Sequence, residues 1–297
     1  MSTSKTPSAC DAQEIAFDSG LYIVATPIGN LADMSQRAIA ILAAADIVAV
    51  EDSRVTGKLL NHLGLKKKMQ RYNDYSSDSE RSALICAAQS GVVALVSDAG
   101  TPLISDPGYR LVRDARAAGA DVYGIPGANA AITALSISGL PTDRFLFAGF
   151  LPAKEKARRD TIEEFGVLNA TLVFYESGPR LGKTLRAMAD ILGPREAAVA
   201  RELTKKFEQL VAGDLGELAA RYADVPPKGE IVLLIAPPTG QHEDGNVDAA
   251  LEDALSRLPV SKAAGEVAKR FGKDRKALYA RAVELKAGQA DTKGDTA

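Results

Sequence analysis

Hydrophobic and polar positions along this chain follow two periods in turn. The short β-branched runs LYIVATP, ADIVAVED, VVALVSDAG and ADVYGIPG alternate with stretches of helical spacing near 34–44, 53–63, 107–118 and 128–138. Strand and helix in alternation predict a parallel sheet with crossover helices. After the break at Gly139-Leu140-Pro141 come FLFAGFLP, a charged helix over 155–165, ATLVFYES, a helix over 180–192, EAAVARELTKKFEQLVAG and GEIVLLIAPP. Neighbouring runs in this half fit antiparallel pairing, so a second α/β domain with a mixed sheet is predicted. PPTGQHEDGN, 237–246, reads as a linker, with helix beyond it. The predicted organisation is a segment 1–18, an α/β domain 19–141, a second α/β domain 142–238, a linker 239–247, a helical module 248–288 and a tail 289–297.

Composition bounds this picture. At 297 residues and 46% hydrophobic, the chain can bury two cores, and no apolar run nears the ~20 residues of a membrane span. MSTSKTPSACDAQEIAFD lacks the basic start and apolar centre of a signal peptide. Cys10 and Cys86 give neither a disulfide framework nor a metal-ligand spacing, which fits a reducing cytoplasm. His62 and His242 are the only histidines and lie far apart, so an enzyme built from this sequence works largely without histidine. The net charge of -2 hides an asymmetry: 260–288 carries eight basic against three acidic side chains, net +5, leaving -7 on the rest. A basic terminal module on an acidic body points to a polyanionic partner.

Candidate chemistry gathers at strand ends. In an open parallel sheet, ligands bind beyond the carboxyl ends of the strands, and VSDAGTPLISDPG sits at such an end. Asp106 and Pro107 are expected to start the next helix, as N-cap and first helical residue. Asp98, Gly100 and Thr101 have no such structural reason. TPIGN, 26–30, closes the first strand, with Asp33 and Gln36 expected to form a capping box. Glu51 and Asp52 close the second strand. Successive side chains point to opposite faces, so at most one of the two is expected in the cleft and the other at a cap or on the surface. PGAN, 126–129, brings a helix N-terminus close to a ligand. The two common nucleotide loops, G-x-G-x-x-G and G-x-x-x-x-G-K-[ST], are absent.

TPIGNLAD, EDSRVTGKLL, SDAGTPLISDPG, PGANAA, FAGFLP, FYESGPRL, ARELTKKFE and GEIVLLI, in this order, resemble the bacterial 16S ribosomal RNA cytidine 2'-O-methyltransferases of the tetrapyrrole methylase family. The resemblance spans roughly 21–237. It implies S-adenosylmethionine in a cleft between two α/β domains, a homodimer, and 16S ribosomal RNA as partner, within the small subunit. Carried over by position, the cofactor-binding candidates are Pro27, Asp98, Ala99, Gly100, Thr101, Ser105 and Ala130. The chain departs from the family at Glu176-Ser177-Gly178-Pro179-Arg180, where the family usually reads Glu-Ser-Pro-His-Arg.

Such a transfer needs alignment above all, because a sulfonium methyl is already activated. The ribose hydroxyl still has to lose a proton, for which Asp52 or Glu51 is the candidate, while Arg201, Glu202 and Lys205 are placed to bind phosphate and polarise the oxygen. A cytosine carbon as acceptor would call for a nucleophile such as cysteine, and a base nitrogen for a stacking pocket; the chain has no Trp and 5% aromatics. RNA contacts are expected from AKEKARRD, 153–160, and from two amphipathic helices joined around Gly272, with Ala264, Val267, Ala268 and Phe271 on one inner face and Leu278, Ala282 and Leu285 on the other. Two alternatives stay open. A methylase acting on tetrapyrroles would typically have a glycine-rich first loop in place of TPIGNL and no basic terminal module. A nucleic-acid-binding regulator would not need an intact SDAGTP segment.

Overall fold

A computed structural model describes residues 17–73, 75–238, 247–271 and 274–291; the expectations for the N-terminal segment up to residue 16, Cys10, His242, Gly272 and most of the linker and tail lie outside them. Five strands, β1 (Gly20–Val24), β2 (Ile47–Val50), β3 (Met69–Arg71), β4 (Val92–Val96) and β5 (Val122–Ile125), form a wholly parallel sheet in the order β3-β2-β4-β1-β5. Helices α1 (Gln36–Ala44) and α2 (Ser53–His62) cover one face, α3 (Asp78–Ser90) and α4 (Tyr109–Ala117) the other. Strand alternation builds both cores at once: Val92, Ala94 and Val96 pack with Ile41, Leu42 and Leu60, while Val93 and Leu95 pack with Leu84 and Leu111. That is why β4 is apolar throughout. The chain runs outward one way from β1 through β2 to β3, then returns to β4 and continues to β5. The order reverses between β1 and β4, and a crevice opens beyond their carboxyl ends.

The second sheet is mixed, as its sequence predicts. β6 (Phe145–Phe150) and β7 (Thr171–Ser177) are parallel, whereas β10 (Glu230–Ile235), β8 (Glu196–Arg201) and β9 (Gln209–Asp214) follow antiparallel, in the order β6-β7-β10-β8-β9. On one face lie α6 (Glu155–Gly166), α7 (Gly178–Leu192) and α8 (Leu215–Arg221). On the other lies α5 (Ala130–Ile137): Ala131, Ala134 and Leu135 pack with Val173, Ala198, Ala200, Val232 and Leu234. A segment read as part of the first domain thus completes the core of the second, together with Ile28 from the loop after β1. β8 is an inner strand and β9 the edge. Among the described residues, no helix is long and apolar enough to cross a membrane.

Two capping expectations are corrected. Ser35 caps α1 through its Oγ, which accepts from the Ala38 amide at 3.1 Å, and Asp33 lies exposed in a 3-10 turn, Leu31–Asp33. Nor does Asp106 start α4: the N-cap is Gly108, at φ +136°, with no side-chain cap. The preceding loop turns through left-handed Leu103 and Ser105, so the helix begins later and Asp106 faces the crevice.

Beyond the two sheets, α9 (Val247–Arg257), α10 (Val260–Phe271) and α11 (Arg275–Asp291) close over their own core of Leu251, Ala254, Ala264, Val267, Phe271, Leu278 and Ala282. Both predicted inner faces are there, with a third helix packed against them. Arg281, one of the eight basic residues of 260–288, forks onto Asp248 and pairs Glu284, tying α11 to α9.

The start of α7 sets a stability test. An ideal Cβ on Gly178 would lie 1.7 Å from the Pro227 carbonyl oxygen, a backbone atom that cannot swing away. Gly178→Ala is expected to destabilise by about 1 to 3 kcal/mol, as overpacking does. Urea unfolding checks it; an unchanged midpoint would mean that this contact is loose.

Candidate active-site cleft between the two sheets

The crevice is a cavity of about 290 Å3. Its first-domain wall comes from strand ends: Ile28 after β1, Glu51 after β2, Asp98 to Thr101 and Ile104 to Asp106 after β4, and Asn129 and Ala130 at the start of α5. Its second-domain wall is Phe150, Tyr175, Glu176, Leu203 and Glu230 to Val232.

Backbone contacts explain the small residues. Thr26 and Gly100 pair like strands: the Thr26 amide donates to the Gly100 carbonyl at 2.8 Å, and the Gly100 amide to Thr26 at 3.0 Å. Gly100 takes φ +83°, a conformation in which glycine avoids a Cβ clash. The Thr101 hydroxyl donates to the Ala128 carbonyl at 3.0 Å, tying this loop to PGAN, and Asn129 Oδ1 caps α5 by accepting from the Ile132 amide. An ideal Cβ on Gly127 would lie 2.8 Å from Ala25 Cβ, so PGAN can rest on the end of β1 only with glycine there. Leu103 and Ser105 hold left-handed backbone at a cost of roughly 1 to 3 kcal/mol each, strain of the kind concentrated at ligand sites.

The strand-end carboxylates divide as alternation requires. Glu51 lines the cleft; burial raises its pKa above the ordinary carboxylate value, the charges of Asp98 and Asp106 add to this, and an Asp98 amide hydrogen bond partly offsets them. Asp52 points away and caps α2, donated to by the Arg54 amide and forked by the Arg54 guanidinium. Those hydrogen bonds hold its pKa at about 2. Asp106 is raised, first by burial, with a Ser97 hydrogen bond acting the other way. With Glu51, Asp98 and Asp106 on its wall and no basic residue among those lining it, the cleft suits a cationic ligand that also carries apolar surface.

Of the cofactor candidates, Asp98, Ala99, Gly100, Thr101, Ser105 and Ala130 line the cleft; Pro27 does not, although its neighbour Ile28 does. Arg201 is turned to its strand neighbours, donating to the Lys228 carbonyl before β10 and to Gln209 Oε1 on β9. Glu202 and Lys205 sit at the rim, where Lys205 Nζ lies 3.1 Å from both Glu202 Oε1 and Glu230 Oε2. Burial opposes its charge, but the two carboxylates outweigh it and raise the Lys205 pKa. The stem of Lys205 lies against Gly29, closing the second domain onto the TPIGN loop. His62 and Cys86 are exposed and do not line the cleft. Sequence reasoning gave no role to Phe150, Tyr175, Glu176 or Glu230, although FAGF, FYES and GEIV place each near a strand end.

Two family models match the chain: tetrapyrrole (corrin/porphyrin) methylases over residues 20–219, and the RsmI C-terminal HTH domain over 241–286. Its curated relatives include proteins named ribosomal RNA small subunit methyltransferase I. That of Erythrobacter litoralis is 56% identical over 90% of this chain and 95% of its own, and that of Mesorhizobium japonicum 48% identical over 94% and 95%. Similar solved folds include a uroporphyrin-III-C-methyltransferase from Thermus thermophilus (TM-score 0.53, 20% identity, 76% of this chain and 98% of that one) and a diphthine synthase (TM-score 0.55, 17%, 73% and 89%). With the model match from β1 through β9 and the relatives over nearly the whole length, the chain belongs to the tetrapyrrole methylase family, in the group of ribosomal RNA small subunit methyltransferases I.

Proposed function

We propose that this methyltransferase uses S-adenosylmethionine to methylate the ribose 2'-oxygen of a cytidine, cytidine 1402, in 16S ribosomal RNA. The observation that carries the reading is the acidic, partly apolar cleft built from the strand ends of a chain 56% identical to a relative named for ribosomal RNA methylation. The residues fit the cofactor. Ile28, Ala130, Leu203 and Val232 offer apolar walls for a purine, Gly100 and its neighbours allow backbone approach, and Asp98 and Asp106 favour positive charge. When bound, S-adenosylmethionine supplies a methyl group already activated by a sulfonium, so the protein's share is alignment and proton removal, alignment alone being worth up to ~7 to 11 kcal/mol.

Glu51 is the proton acceptor in this proposal. It faces the cleft, and its raised pKa makes it a stronger base than an ordinary carboxylate, whereas Asp52 is held by Arg54. Lys205 at the rim holds phosphate or stabilises charge developing on the oxygen, with Glu202 and Glu230 fixing its amine in place. Phe150, 59% exposed and edge-on to Tyr175 at 5.5 Å, offers a face on which a single-stranded base can stack. Lys262, Arg275, Lys276 and Lys286 are exposed on the terminal module, which supports an RNA partner. The homodimer implied by the resemblance and the cytoplasmic location that the cysteine usage fits belong to the same proposal, and sedimentation of the full chain tests the former.

The deciding experiment incubates the protein with methyl-labelled S-adenosylmethionine and small subunits from cells lacking it, then digests the RNA to nucleosides. Label on the ribose of cytidine is expected. Label on the base, or none on the RNA, overturns the reading.

A further inference from the structure

Away from the cleft, α6, α7 and the end of α8 flank an open groove of about 310 Å3. Arg158 and Arg159 of α6 and Lys183 and Arg186 of α7 line it, against two carboxylates, Glu155 and Asp190. Asp190 is paired with Arg159 at 3.5 Å, and among the described residues Arg158, Lys183 and Arg186 have no acidic partner. Arg158 is the telling member. AKEKARRD is expected to contact RNA, yet within it Arg158 is only 7% exposed: its Nη1 donates to the Ala153 carbonyl at 3.3 Å, and its buried Nε has no partner. A guanidinium drawn in this far with a donor unsatisfied is costly, and because Arg158 also lines the groove, an anion there would offset its uncompensated charge. Ala187, Ala219 and Ala223 leave the floor low, without the large apolar anchors of a protein interface core.

We infer that this groove grips backbone phosphates of the RNA flanking the nucleotide held in the cleft, a second contact site that rests on the RNA-methylating function proposed above. The two sites share no lining residue but are linked through one stretch of backbone. Phe150 lines the cleft, the next carbonyls, Leu151 and Pro152, accept from Arg180 Nη2 at 2.6 and 3.3 Å, and Ala153 receives Arg158. On α7, Arg180 is paired with buried Glu176 of the cleft wall at 3.2 Å, and Lys183 and Arg186, free of acidic partners among the described residues, follow at three-residue steps of about 4.5 Å on the groove side. Guanidinium forks match phosphate oxygens and carry no base preference, so the groove sets register and the cleft selects the nucleotide.

The test uses the full chain with Lys183→Ala and Arg186→Ala combined; both residues are exposed and neither lines the cleft. Binding to naked 16S RNA and to small subunits is measured against salt, alongside methyl-transfer kinetics and S-adenosylmethionine affinity. Two lost phosphate contacts should lower the salt slope by about 1.4 to 1.8 and raise Kd and KM on the order of tenfold, with kcat and cofactor affinity unchanged. Arg158→Lys, which keeps the charge and removes the guanidinium fork, should also raise KM while remaining folded by circular dichroism. Unchanged slope and KM in the double variant, with the wild type methylating RNA normally, overturns the groove and leaves the function standing. A loss seen with subunits but not with naked RNA assigns the groove to an acidic ribosomal protein and overturns it too. If the wild type transfers no methyl to RNA but the double variant still lowers the RNA salt slope, the function fails and the groove stands.

Discussion

Replacing Gly100 by valine is expected to abolish S-adenosylmethionine binding, with Kd rising by more than about a hundredfold, while the fold survives. The amide and carbonyl of Gly100 are both engaged with Thr26, so the residue cannot relax to negative φ without breaking that bridge. Its φ of +83° costs an L side chain about 1 to 2 kcal/mol, more for a β-branched one. The new Cβ would also stand 3.3 Å from Ile28 Cγ2, pressing on an apolar wall of the cleft. The strain falls on a loop outside both sheets, so a stability of ordinary size, roughly 5 to 15 kcal/mol, absorbs it. Calorimetry with the folded variant checks this, and retained affinity would remove this loop from the cofactor site.

Why the cleft was legible in outline and not in detail follows from which interactions are local. Val92–Val96 reads as a central strand because both its faces are buried, and that pattern is written in consecutive residues. Glu51 and Asp52 could be split by strand alternation alone, but which of them faces inward depends on Arg54 and the start of α2. β3, three residues with neither end buried, and α8, one short amphipathic helix after an edge strand, carry too little periodicity to be read. Asp106 was misread because Asp-Pro-Gly is a good local start for a helix, whereas the left-handed turns at Leu103 and Ser105 are set by packing against the rest of the loop. The burial of Arg158 is non-local in the same way: its charged stretch carries no sign of it, and only the approach of α7 and α8 brings it about. α5 was assigned by its place in the sequence, yet its alanines pack where Ala198 and Ala200 leave room on the second sheet.

Glu51→Gln should separate activity from stability in opposite directions. Glutamine keeps the shape and hydrogen-bonding capacity of the side chain but cannot take up a proton, so kcat is expected to fall by about 10^2 to 10^4, the usual span for loss of a general base. In the wild type, kcat should rise with pH through the pKa of Glu51, which burial and the charges of Asp98 and Asp106 place above the ordinary carboxylate value; the variant should lose that limb. The stability sign is the reverse. Because the folded protein holds the Glu51 proton to higher pH than the unfolded chain, stability from this group is full below the unfolded pKa and is lost as pH rises through the folded one. At neutral pH the ionised carboxylate therefore opposes folding, and removing its charge should raise the melting temperature of the ligand-free protein. Asp52→Ala should do the opposite: it strips the α2 cap and the Arg54 pair, lowering stability above the acid range while leaving the pH limb of kcat in place. Thermal unfolding and pH–rate profiles of the two variants decide between the carboxylates. A Glu51→Gln protein that keeps its pH limb and turns over at the wild-type rate would return the proton acceptor to another group in the cleft.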